Sequence, residues 1–196
     1  MPSNSLHRWN HDAHSALNQI QIAHAAVGGN ARGRRFATLQ LNHAYLVLIS
    51  SHFQHFCREL HTEAVDYICR QNPPGAPPDP RRDILLLNLT PNRQLDSKNP
   101  SPATIGADFG RLNLRFWDTV KAVAPSLNAR RQILLEQMNT WRNAIAHQDF
   151  IAHKLRPEGL TLPMVRQFRS ACDRLAQRFD DVISDHLATI TGVRPW

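Results

Sequence analysis

Apolar residues recur at helical spacing through most of the chain, and the longest such stretch extends from about Phe36 to Arg70. In this stretch they return every three or four positions, which places them on one face of a helix. A helix of this length is much longer than the three or four turns usual in globular proteins. The pattern therefore predicts a long central helix. Its apolar members are Leu39, Tyr45, Leu46, Ile49, Phe53, Phe56, Leu60, Ala64 and Ile68.

The same spacing predicts further helices on both sides of the central one. A first amphipathic helix, beginning near Ser5 or Asp12, should end at Val27, where two glycines follow. Later in the chain, helical spacing covers residues 105–123 and 127–145, with Ser126 or Asn128 as the N-cap of the second segment. A last helix should begin after Thr161 and contain Pro163 in its first turn. The fold class predicted is all-α, a helical bundle of about five to six helices.

Two proline-rich stretches interrupt this pattern, and we expect flexible loops at 72–82 and 90–102. Between them, the apolar run at 84–89 fits a helix or a strand equally well. The roughly seventy residues before the first loop have no self-sufficient core. We therefore expect one domain over residues 1–196, in which the proline-rich region is a lid, a partner site or a plain connection.

The composition indicates a basic surface that could bind a partner, and it argues against a membrane segment. The formal charge is +7, which favours a polyanion such as RNA, although basic proteins often carry such charge only for solubility. Two basic clusters are candidate RNA contacts, namely Arg34 with Arg35 and Arg130 with Arg131. No run of eighteen apolar residues occurs, so we expect no membrane association and a cytoplasmic location.

Other polar residues on the central helix are weaker candidates for chemistry. Its histidines, His43, His52, His55 and His61, lack an acidic or cysteine partner that would complete a metal site, so we expect them to be partly exposed and predict no metal or cofactor. The three cysteines stand singly, which argues against a disulfide framework. Glu59 and Glu63 lie one turn apart and could orient catalytic groups across the bundle, or they could be ordinary surface charges.

The strongest candidate for chemistry lies near the end of the 127–145 helix, where Arg142 and His147 stand five residues apart. On a continuous helix this spacing corresponds to a rotation of about 140° and a rise of about 7.5 Å. Arginine binds phosphate oxygens through a charged fork, and histidine transfers protons near neutral pH. Alternatively, the histidine is structural and the arginine pairs with Asp149 or Glu136.

Arg142, the polar Asn143 after it and His147 form an Arg-x4-His pattern that resembles the signature of the HEPN superfamily. That family places its motif late in an all-helical domain, at the C-terminal end of a helix. Residues 41–53 and 56–60 are similar to the second helix of the HEPN subgroup found beside RiboL-PSP domains. The resemblance covers roughly residues 10–190 and implies a HEPN-like helical bundle.

This resemblance implies a metal-independent endoribonuclease in which the RNA 2′-hydroxyl attacks the adjacent phosphate. It assigns proton transfer to His147 and phosphate binding to Arg142, and it implies that Asn143 either hydrogen-bonds the backbone or positions His147. It further implies a homodimer that joins two motifs, a toxin or antiphage role, and restraint by an antitoxin or the product of a neighbouring gene. One toxin branch is controlled through a tyrosine two residues after the histidine, but Asp149 stands there in this chain, so that control is not expected.

Two other functions remain open at this point. The domain could be a catalytically silent HEPN module that binds nucleotides or RNA or mediates an interaction. It could also be a purely structural bundle whose basic surface binds RNA without cutting it. Retention of both Arg142 and His147 favours the ribonuclease, because a silent domain has no chemical need for both.

Overall fold

The computed structural model describes residues 1–28, 36–70, 84 and 87–196. In these residues it contains seven α-helices and no β-strand, which confirms the all-α prediction. The helices are α1 (Asn4–Arg8), joined through a π-helical turn (Trp9–Ala13) to α2 (His14–Gly28), then α3 (Phe36–Arg70), α4 (Pro102–Gly110), α5 (Phe116–Ala122), α6 (Pro125–His147) and α7 (Leu162–Thr191). Two short 3-10 turns, Gln94–Asp96 and Pro157–Gly159, lie in the connections, and residues 87–89 are also helical.

The long helix α3 is the centre of the bundle, and α1, α2, α6 and α7 all pack against it. Phe179 on α7 joins several of these elements, because its ring centroid lies 5.9 Å from that of Phe53 on α3 and 4.7 Å from that of Phe116 on α5. All three side chains are buried. The amphipathic pattern of α3 and α7 thus arises from one shared aromatic and aliphatic core.

The segment predicted as one helix over residues 105–123 is two helices, α4 and α5. The chain turns between them, and Asn113 adopts a left-handed conformation with φ of 59°. Asparagine tolerates that conformation better than most residues, and this local preference does not disturb the apolar spacing. The periodicity therefore predicted the buried face correctly and missed the break.

The start of α6 also differs from the prediction, since neither Ser126 nor Asn128 caps it. The helix begins at Pro125, a residue that suits the first helical turn because its φ is fixed and it has no N–H to satisfy. Asn128 is 1% exposed, and its Nδ2 donates to the carbonyl of Val120, 2.9 Å away, and to that of Val123. Its side chain therefore ties α6 to the end of α5.

Two of the four histidines predicted to be partly exposed are buried, so that prediction was wrong for His43 and His61. Each places Nε2 3.1 Å from a backbone carbonyl, that of Pro157 for His43 and that of Asp108 for His61. A carbonyl only accepts, so each Nε2 carries the proton and donates. Burial is tolerated because the imidazole N–H retains a partner.

The second proline-rich stretch, residues 90–102, is fastened to the bundle by its backbone. The Asp108 carboxylate accepts from the N–H groups of Gln94 and Leu95, each at 2.8 Å, and Gln54 donates to the carbonyl of Leu95 at 2.6 Å. Leu95 itself is buried. The first stretch, 72–82, lies outside the described residues. Of the helices described, none combines the length and apolar character needed to cross a bilayer.

Candidate active site

The helix α6 ends at the sequence motif through a left-handed cap. Gln148 has φ of 53° and ψ of 29°. The N–H of Asp149 donates to the carbonyl of Ala144 at 3.0 Å, and that of Gln148 donates to the carbonyl of Ile145 at 3.4 Å. This pair of hydrogen bonds is a Schellman arrangement, which stops a helix and redirects the chain. His147 is therefore the last helical residue, and its side chain is exposed.

The loop after the motif holds the end of α6 from one side. Phe150 is buried, with its ring centroid 5.7 Å from that of His43 and 6.5 Å from that of Trp141. The hydrogen bond from His43 to Pro157 fixes the same loop. His43 was missed as a positioning residue. The only signal in the sequence was a histidine inside an otherwise apolar helical segment.

Asparagines hold α6 from the other side. Nδ2 of Asn139 donates to the carbonyl of Pro100 at 3.0 Å, and Oδ1 of Asn143 accepts from Nδ2 of Asn99. Asn143 was expected to hydrogen-bond the backbone or to position His147; its recorded partner is instead the side chain of Asn99, which ties it to the segment before α4. Asn99 was missed in the sequence because its contact spans 44 residues.

Arg142 and His147 remain available at this fixed helix end. Arg142 is half-buried and His147 is exposed. Within residues 1–28, 36–70 and 87–196, neither side chain forms a hydrogen bond or an ion pair with another residue. The alternative partners of Arg142 do not engage it, since Asp149 accepts from the N–H of Ala152 at 3.1 Å and Glu136 forms no ion pair in this part of the chain. The guanidinium of Arg142 and the imidazole of His147 thus have no partner among the described residues at this helix end.

Glu59 and Glu63 lie elsewhere on α3. Glu63 accepts from the backbone N–H groups of Asn4 and Ser5, each at 3.0 Å, and Glu59 forms an ion pair with Arg8. Glu63 therefore holds the start of α1 and compensates its unpaired N–H groups, whereas Glu59 holds the side chain of Arg8 at the end of α1. Glu59 lies roughly 24 Å along the helix from His43, which contacts the loop after the motif. The structure records no contact of either glutamate with Arg142 or His147.

The predicted basic residues are separated from the motif along the chain. Arg130 is exposed near the start of α6, and Arg131 donates from Nη1 to Oδ1 of Asn128 at 2.7 Å. Arg131 and Arg142 are eleven residues apart, or roughly 17 Å of helix. Arg34 and Arg35 lie outside the described residues. No cluster of three or more metal-binding side chains occurs where the structure describes the chain.

Comparison with known proteins gives one result that covers most of the chain. The model of the RiboL-PSP-HEPN family matches residues 12–185. No curated protein and no solved structure matches. The matched region contains the central helix, the motif helix and nearly all of α7, and the family supports a ribonuclease or an RNA-interaction module. The chain therefore belongs to the RiboL-PSP-HEPN family.

Proposed function

We propose that the protein is a metal-independent endoribonuclease that cleaves RNA through its own 2′-hydroxyl group. The observation that carries this proposal is that Arg142 and His147 both lie near one braced helix end, where neither side chain has a partner in the described part of the chain. Arginines and histidines that are buried for a structural role are usually hydrogen-bonded to neighbouring residues. The net charge of +7 suits an RNA substrate.

In the proposed reaction, the 2′-oxygen attacks the adjacent phosphorus atom while an imidazole nitrogen of His147 accepts the hydroxyl proton. The bond from phosphorus to the 5′-oxygen breaks, and a protonated imidazole donates a proton to that oxygen. The products are a 2′,3′-cyclic phosphate and a free 5′-hydroxyl group. The Arg142 guanidinium holds two non-bridging oxygens, whose negative charge increases in the phosphorane.

The reaction needs a base and an acid, whereas one chain supplies one motif histidine. We propose that a two-fold homodimer brings a second His147 into the same cleft. Such an interface is built from identical surfaces, so each motif faces its copy when the motif lies near the axis. One imidazole then starts neutral and the other starts protonated. As the family resemblance implies, the enzyme would be a toxin or an antiphage effector restrained by an antitoxin or a neighbouring gene product.

The direct test is to incubate the wild-type protein with a mixed-sequence RNA in EDTA and to analyse the new 3′ ends. We expect cyclic phosphate ends, and we expect a substrate with a single 2′-deoxyribose at the cleaved position to resist cleavage there. Intact RNA after incubation with a correctly folded protein would rule out the catalytic proposal. Salt-dependent RNA binding without cleavage would then identify an RNA-binding module.

The hydrogen bond between Asn99 and Asn143 provides a separate test of how the motif is positioned. We expect Asn99→Ala to lower the cleavage rate about 10-fold, because a displaced reacting group loses much of its catalytic advantage. Loss of the hydrogen bond should cost about 1 kcal/mol of folding free energy. Ser97→Ala is the matched control, because Ser97 is exposed nearby.

The two asparagines can also be compared in a double-mutant cycle. If they act through their shared hydrogen bond, the Asn99→Ala/Asn143→Ala protein should cleave no more slowly than the slower single variant. Rate losses that multiply in the double variant would contradict this positioning role. Cleavage rates at saturating RNA, together with thermal unfolding of each variant, supply the comparison.

A further inference from the structure

A basic groove lies between the first half of α6 and the first half of α7, away from the motif. Its volume is about 210 Å³. Arg130 and Arg131 line it from α6, while Gln167, Ser170 and Arg174 line it from α7. The groove therefore gathers three guanidinium groups and two neutral polar side chains from two different helices.

The positive charge in this groove is not neutralised by the protein. Among the described residues none of the three arginines forms an ion pair, and the one hydrogen bond recorded for them joins Arg131 to Asn128. Burial and the neighbouring charge of Arg174 lower the pKa of Arg131. Asp173 is next in sequence to Arg174, but its carboxylate accepts from Trp9 at 3.2 Å and lies 2.7 Å from Nε2 of His14.

Uncompensated guanidinium groups that share a groove favour binding of an anion, and arginine suits phosphate in particular. The groove also has an apolar part, because Leu127 and Leu134 line it and Leu127 is 56% exposed. An inorganic ion has no apolar part that could pack against these leucines. A nucleotide of an RNA strand can place its phosphate on the arginines and its sugar or base on the leucines.

The groove is aligned with the motif along one helix. Arg131 and Arg142 are eleven residues apart, which corresponds to about three full turns with only about 20° of residual rotation. The two side chains therefore start from the same side of α6, roughly 17 Å apart. A strand whose cleaved phosphate lies at Arg142 can continue along this side and reach the groove.

We propose that the groove formed by Arg130, Arg131, Arg174, Ser170 and Gln167 binds a backbone phosphate of the RNA, several nucleotides away from the cleaved bond. This inference rests on the proposed function for the position of the cleaved bond. The groove acts as a second anchor that makes long substrates bind more tightly than short ones. It contacts the backbone, so it holds RNA without selecting its sequence.

Binding is tested with a fluorescent 12-nucleotide 2′-O-methyl RNA, which has no free 2′-hydroxyl group and cannot be cleaved by the proposed route. We expect Arg131→Gln/Arg174→Gln to weaken binding at least 10-fold. The slope of log affinity against log salt concentration should become shallower by about 1.4, or about 0.7 for each lost contact with a single-stranded phosphate. Ser170→Glu, which adds a carboxylate to the groove without removing an arginine, should weaken binding as well.

The matched control is Arg70→Gln/Arg194→Gln, which removes the same net charge from exposed arginines outside the groove. Binding and salt slope close to the wild-type values in this control support the groove. Equal losses in both double variants would overturn it, as would wild-type binding by Arg131→Gln/Arg174→Gln. A third outcome would also overturn the RNA-binding role of the groove. If binding of inorganic tripolyphosphate depends on Arg131 and Arg174 whereas binding of RNA does not, the groove is a site for free phosphate.

Measurements of cleavage distinguish a failure of the groove proposal from a failure of the proposed ribonuclease function. With the wild-type enzyme as reference, the groove variant should lose at least 10-fold in kcat/KM on a long RNA. It should retain its rate on a dinucleotide, which is too short to reach from Arg142 to the groove. Equal losses on both substrates would overturn the anchor role. Absence of cleavage by the wild type would reject the ribonuclease, while the binding experiment would still decide whether the groove holds RNA.

Discussion

His147→Ala is expected to reduce the rate of RNA cleavage about 1,000-fold while leaving RNA affinity and thermal stability close to those of the wild type. The side chain is exposed at the end of α6 and has no partner among the described residues, so its removal leaves no buried group unsatisfied. General acid and base catalysis contributes about 10² to 10⁴ in rate. In a symmetric dimer the substitution removes the acid and the base together.

The matched control is His55→Ala, which removes an exposed histidine of α3 and should cleave at the wild-type rate. Single-turnover cleavage in EDTA supplies the rates, and binding of uncleavable RNA shows whether the substrate site is intact. Cleavage by His147→Ala at the wild-type rate would place the chemistry at another site. A loss that is matched by His55→Ala would point to a general effect of removing surface histidines.

The sequence predicted best those elements whose buried positions recur at a regular spacing along the chain. The bounds of α3 match the predicted Phe36 to Arg70, because its inward face repeats over 35 residues and every turn adds to the same signal. Thr161 was predicted as the cap of the last helix, and its side chain does accept from the N–H of Met164. Both features depend on residues close together in sequence.

The features that were missed depend on contacts across the fold. His61 faces the carbonyl of Asp108, 47 residues away, and His43 faces that of Pro157, 114 residues away. No local pattern shows whether a polar residue on a helix will find such a partner, since the partner comes from tertiary packing. For this reason Arg142 and His147 could be proposed from a local motif and its resemblance to a known family, whereas the contact of Asn99 required the structure.

The second large effect expected is on stability in acid, and it arises at His61. This imidazole is fully buried, donates from Nε2 to Asp108, and lies with Nδ1 3.4 Å from Nη1 of Arg93. Burial, followed by the charge of Arg93, lowers the pKa of His61 to about 4. Arg93 is itself held by Thr62 at 2.8 Å, so the folded protein cannot easily admit a proton at Nδ1.

The direction of the pH effect follows from where the proton binds. Above pH 6.5 His61 is neutral in both the folded and the unfolded chain, so its full contribution to stability is present. Between pH 6.5 and about 4 the unfolded chain binds a proton that the folded chain does not bind. Stability is therefore lost as the pH falls through this range, by about 3 kcal/mol at this one residue.

Asp180 works in the opposite direction over a similar range. It is 3% exposed, and burial raises its pKa to about 6 against the opposing effect of its hydrogen bonds from Ser3, while the charges of Asp181 and Glu63 raise the pKa by smaller amounts. Because the folded protein holds this proton more tightly than the unfolded chain, Asp180 favours folding as the pH falls from 6 towards 4. The gain is roughly 2 to 3 kcal/mol. The effects of His61 and Asp180 on the pH dependence of stability should therefore largely cancel in the wild type.

Two substitutions should reveal the separate contributions of His61 and Asp180 to the pH dependence of stability. Asp180→Asn removes the group that is stabilising in acid, so this variant should lose roughly 2 to 3 kcal/mol more than the wild type between pH 7.5 and 4. His61→Gln removes the opposing group while keeping an amide donor for the Asp108 carbonyl, and it should lose about 3 kcal/mol less than the wild type. Urea unfolding of the three proteins at both pH values measures these differences. Parallel changes with pH in all three would show that neither residue changes its proton affinity on folding.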